Sequence, residues 1–92
     1  MSVMIVAKFV ASPGKADELK KVLSACITPS RAEAGCLHYD LYRSTEDGNV
    51  FLFHETWQSA EAIAEHEQQE HFKKLLAGCD GLLQRKPEVV KY

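Results

Sequence analysis

No run of this chain approaches the ~18–20 consecutive apolar residues that a membrane span needs, so a membrane protein is not expected. Cysteine is scarce. Cys26, Cys36 and Cys79 are odd in number, far apart, and show no CxxC or CxxH spacing. That removes the sequence signs of a disulfide framework or a cysteine-based metal site. Cys26 and Cys79 fall on apolar helical positions and read as buried free thiols. Cys36 follows Gly35 at a strand start, where a reactive thiol is the alternative. An excess of one charge is also missing. The net charge is −2, and Lys20-Lys21, Lys73-Lys74 and Arg85-Lys86 are isolated pairs. Nucleic acid is therefore not an expected partner. Met1 to Val10 contains Lys8 and no charged leader, so a signal peptide is not expected and the reducing cytoplasm is the expected home.

The 92 residues are enough for one domain, residues 1–92, with no visible repeat, linker or low-complexity segment. A chain this short buries only about 60–65% of its unfolded surface, so a partner subunit would help it. Val3 to Ala11 is a β-branched and aromatic strand, closed by Ser12-Pro13-Gly14. A helix from about Lys15 to Ile27 follows, with the stripe Leu19, Val22, Leu23 and Cys26 and with Asp17 and Glu18 in its first turn. Pro29 ends or bends it. Leu37 to Arg43 and Val50 to Trp57 read as an antiparallel hairpin joined through Asp47-Gly48. Ser59 caps a short helix to about Gln68, and a longer helix runs from about Glu70 to Leu83, weakened by Gly78 and Gly81. Pro87 precedes a last strand, Glu88 to Tyr92. The order β-α-β-β-α-β predicts an α+β, ferredoxin-like fold: a four-stranded antiparallel sheet with helices on one face. Both faces of the strands are apolar, as Phe51 and Phe53 against Val50 and Leu52 illustrate. A homodimer that covers the open face is expected.

Phe51 to Phe72 holds three of the four histidines, the only tryptophan and five glutamates. His66 to His71 resembles the HExxH zinc pattern but has one residue too many. At about 100° per residue, an i, i+5 pair on an unbroken helix points about 140° apart, so no metal is expected unless the helix kinks near Gln69. Alternation puts Phe53, Glu55 and Trp57 on one sheet face and Leu52, His54 and Thr56 on the other. A buried carboxylate needs a partner or a proton. Glu55 either takes a bond from Arg31 or a histidine, or orients a catalytic histidine. His66 and His71 both border apolar stripes and are candidates for general acid/base work. His54 is expected on the dimer side and His38 at the surface or interface. Trp57 and Tyr39 are core residues that could also wall an aromatic ligand.

Several passages together resemble the antibiotic biosynthesis monooxygenase domain family. They are Pro13-Gly14-Lys15, Arg31 to Leu37 leading into Tyr39-Asp40-Leu41-Tyr42, Phe53 to Trp57, and His66 with His71-Phe72-Lys73. The resemblance implies a dimeric α/β barrel with a pocket between each sheet and its own helices. It implies oxidation of small phenols, hydroquinones or polycyclic aromatics by O2 without a cofactor. The base would be His66 or His71, with Glu55 orienting it. Trp57, Tyr39, Phe53, Phe72 and Leu75 would line the substrate pocket. Haem-degrading relatives use an asparagine on the first strand and a histidine on the later helix. Ala7 and Leu76 stand near those positions, which argues against haem chemistry. Two rival readings are an isomerase of small, phosphorylated carbonyl compounds and a non-enzymatic aromatic-binding dimer.

Overall fold

The computed structural model describes residues 2–92; Met1, the first residue of the expected domain, lies outside the described residues. The strands are β1 (Val3–Val10), β2 (Cys36–Arg43), β3 (Val50–Trp57) and β4 (Glu88–Lys91). The helices are α1 (Ala16–Ser24), α2 (Ile27–Arg31), α3 (Ala60–His66) and α4 (Glu70–Gly78). The strands form one antiparallel sheet in the order β2-β3-β1-β4, which is the ferredoxin-like arrangement.

β3 shows why the sheet has an inside. Phe51, Phe53, Glu55 and Trp57 are buried, and each intervening residue is only half-buried. Register carries the same parity to the neighbours: Ile5 and Tyr39 flank Glu55, and Ala7 and Leu41 flank Phe53. This face packs under the helices with Leu19, Leu23, Ile63 and Leu75. The opposite face carries Met4, Val6, Leu52, His54 and Val90 in register, and Met4, Tyr42 and Val90 are exposed there.

Several boundaries differ by a residue or two from the sequence reading, with β1 ending at Val10, β2 beginning at Cys36 and α3 ending at His66, and two differ by more. The first helix is two helices. A proline ring clashes with the carbonyl four residues earlier in a continuous helix. For Pro29 that residue is Ala25, just past the end of α1. Pro29 then sits in the first turn of α2, where a missing N–H leaves no bond unmade. The second difference is α4, which stops at Gly78 instead of reaching Leu83. Gly81 turns the chain at φ 78°. The Leu82 carbonyl then accepts from Ser12 N at 2.8 Å, and Leu83 bridges Ala11. Those leucines belong to the core, but not through a helical stripe. β4 also ends one residue early, at Lys91.

Two close approaches seat the helices. Gly35, before β2, lies so near the Ala62 methyl that any side chain there would overlap it. Gly78 of α4 meets Val22 of α1 in the same way. The first contact fixes α3, and hence His66, over the inner sheet face.

A cavity lined by aromatics and a carboxylate–histidine cluster

Between the inner sheet face and α3 and α4 lies a cavity of about 330 Å3. Of the expected residues, Glu55, His66, Tyr39, Phe53, Phe72 and Leu75 line it. Trp57 and His71 do not. Trp57 is fully buried beside the cavity, with the His66 ring against it at 4.4 Å. Lys86, Val89 and Lys91, from the segment around β4, complete the walls. Strand alternation could not foretell that segment, because its contribution depends on where the chain returns.

Glu55 is 5% exposed and accepts one hydrogen bond, from Trp57 Nε1 to Oε1 at 2.8 Å. Neither Arg31 nor a histidine bonds it. Arg31 donates instead to the Tyr39 carbonyl and to Asp40, each at 3.0 Å. Burial pushes the Glu55 carboxyl up to about 7; the Trp57 bond opposes this and the Glu33 charge adds to it. Among the described residues no buried side-chain oxygen or nitrogen lacks a partner. The second Glu55 oxygen, which has none, is therefore open to the cavity that Glu55 lines.

His66 is 3% exposed. Its Nδ1 meets Glu33 Oε2 at 2.6 Å, and His71 Nε2 meets the same oxygen at 2.7 Å. A carboxylate only accepts, so both of these nitrogens carry the proton. Neutral His66 then presents an unprotonated Nε2, and the ring lines the cavity. Tyr39 and Phe72 hold the ring at 5.8 and 5.1 Å between centroids. Burial lowers its pKa and the Glu33 bond partly opposes that, so the ring is kept available as a neutral base.

Glu33, in the loop after α2, is the functional candidate that strand and helix periodicity missed. Its only sequence signal is its place in the Arg31 to Leu37 passage. The orienting carboxylate expected at Glu55 is supplied geometrically by Glu33. His66 and His71 diverge only on an unbroken helix, and the helix is broken near Gln69. α3 ends at His66 and α4 begins at Glu70, with an extended backbone at Gln69. Beyond Ile63 the next stripe positions, Glu67 and Glu70, are polar, so no apolar anchor holds a continuous helix. The break turns both rings onto Glu33, and one ligand atom from each of the three residues lies within 4.8 Å of the others.

The other two histidines lie on the open face. His38 Nδ1 meets Thr56 Oγ1 at 2.7 Å, and His38 Nε2 meets His54 Nδ1 at 3.1 Å. Neither touches the cavity.

Comparison with known proteins places this geometry. Residues 2–78 match the family described as Antibiotic biosynthesis monooxygenase. The chain is 40% identical over 83 residues to Rv0793 of Mycobacterium tuberculosis, which carries a provisional monooxygenase name; the match covers 90% of this chain and 81% of that protein. The solved structure of Rv0793 superposes with a TM-score of 0.94, covering 100% of this chain and 93% of that one at 35% identity. PA3566 from Pseudomonas aeruginosa superposes with a TM-score of 0.94 at 36% identity, covering 99% and 91%.

Proposed function

The chain belongs to the antibiotic biosynthesis monooxygenase family, and on that premise we propose that it oxidises a small phenolic, hydroquinone or polycyclic aromatic substrate with O2 and without a cofactor. The observation that carries this reading is the His66 ring, bonded through Nδ1 to Glu33 at 2.6 Å, at the wall of a cavity lined largely by aromatic and aliphatic side chains. His66 removes the phenolic proton, and the resulting imidazolium is stabilised by Glu33. The electron-rich anion passes one electron to O2, and the radical pair joins as a peroxide. Glu55, with a pKa of about 7, is placed to protonate the departing oxygen. The His66 imidazolium returns its proton to the distal peroxide oxygen, and Glu55 supplies the second as the O–O bond breaks. The proton on the oxidised carbon passes to the Glu55 carboxylate so formed. One oxygen atom thus stays on the product as a carbonyl and the other leaves as water. Tyr39, Phe53, Phe72 and Leu75 pack against the ring and exclude water. Trp57 acts from behind, by holding Glu55 and stacking on His66. His71 acts through Glu33.

The protein acts as a homodimer in this reading. Exposed Met4, Tyr42 and Val90 on the open sheet face support a second copy there. The free thiols of Cys26, Cys36 and Cys79 suit a reducing compartment such as the cytoplasm.

A second reading has one observation in its favour: Lys86 and Lys91 line the cavity and offer cations to a phosphorylated carbonyl substrate. Isomerisation of such a compound would use the same His66 and Glu55 without O2. Oxygen uptake with a panel of hydroquinones and polycyclic phenols separates the two. Uptake that falls in His66→Ala supports oxidation, and turnover that persists under argon overturns it.

A further inference from the structure

We propose that Glu33, His66 and His71 form a binding site for a divalent transition metal of the Zn2+ or Cu2+ kind, and that filling it switches off His66 as a base. Two imidazole nitrogens and a carboxylate oxygen suit these borderline ions, not Mg2+ or Ca2+. Three protein ligands leave a further position for water, as in open zinc sites. The ligand atoms come from three separate segments and already lie within 4.8 Å of one another. Glu33 and His71 also line a second cleft, of about 320 Å3, on the outer side of the cluster. That cleft gives an ion a route that avoids the substrate cavity. Its walls include Glu65 and no lysine or arginine, so it favours a cation.

The switch follows from proton bookkeeping on one ring, and it rests on the proposed role of His66. Without metal, Nδ1 holds the proton for Glu33 and Nε2 is free to accept one. A metal on Nδ1 uses that lone pair. The neutral ring must then carry its single proton on Nε2. The cavity meets an N–H donor instead of a base. Metal binding and proton abstraction are mutually exclusive states of the same side chain.

The test is titration of chelator-stripped protein with Zn2+ by calorimetry, and with Co2+ by its visible spectrum. One equivalent per chain is expected, micromolar or tighter. Glu33→Gln and His71→Gln should each weaken it at least about tenfold. His38→Ala/His54→Ala, which removes the histidine pair on the open face, should leave it unchanged. Nitrogen-15 NMR should show the His66 proton moving from Nδ1 to Nε2 as Zn2+ is added. No saturable binding overturns the proposal. So does binding that survives Glu33→Gln and His71→Gln but is lost with the open-face pair. If binding and the tautomer change occur while no phenol oxidation is ever seen, the metal site stands and the oxidase reading fails.

Discussion

Glu33 Oε2 stands 2.6 Å from His66 Nδ1, and that single bond decides which imidazole nitrogen faces the cavity. In Glu33→Gln the acceptor-only partner is gone, and the amide can bond either tautomer. Metal-free wild type is expected to show His66 as the Nδ1–H form by nitrogen-15 NMR, and the variant as a mixture. Turnover of a phenolic substrate is expected to fall about 100-fold or more, with little change in KM. An unchanged tautomer and an unchanged kcat would remove Glu33 from the account.

Glu55 makes stability depend on pH in an unusual direction for a carboxylate. Its pKa is raised from 4.5 to about 7 in the folded state, so folding favours the protonated form. That contribution is complete below pH 4.5 and is lost as pH rises through about 7, in total about 3 kcal/mol. Glu55→Gln keeps an oxygen for Trp57 and cannot ionise. Urea unfolding should find it close to wild type at pH 5 and more stable than wild type by up to about 3 kcal/mol at pH 8.5. Equal stability differences at both pH values would contradict this.

Gly35 couples the fold to the site. A methyl there overlaps the Ala62 methyl, and the strain acts on α3. Gly35→Ala is expected to cost about 1–3 kcal/mol in denaturant unfolding and to loosen the bond between Glu33 and His66. A stability within about 0.5 kcal/mol of wild type would show that α3 is free to shift.

How far the sequence revealed this arrangement can be read from single residues. Glu55 and Trp57 were legible because strand alternation is strict and β3 keeps it throughout. His66 was legible as a histidine near an apolar stripe. Leu82 and Leu83 misled because helical spacing cannot distinguish a stripe from a returning loop that plugs the same core. Glu33 was hidden because a loop residue has no period, and its role exists only once the break between α3 and α4 brings both histidines to it. The cavity wall from Lys86 to Lys91 was hidden for a related reason: it comes from a long-range return of the chain to β1.

The open face gives a prediction about assembly. Light scattering is expected to give a mass near twice the 10.3 kDa of one chain. Leu52→Glu, which places a charge in the middle of that face, should shift the mass toward one chain without changing the circular dichroism. A wild-type mass of one chain at micromolar concentration would contradict the dimer.

The central claim is that His66 is a base inside the cavity, and it can be tested before any oxidation occurs. Metal-free protein is mixed under argon with 4-nitrophenol, at a pH about one unit below the phenol's own pKa, and the phenolate absorbance is followed. Wild type is expected to bind the phenol and raise its ionised fraction well above that in buffer, with His66→Ala binding it un-ionised. Binding without ionisation in wild type, or equal ionisation in His66→Ala, would contradict the account.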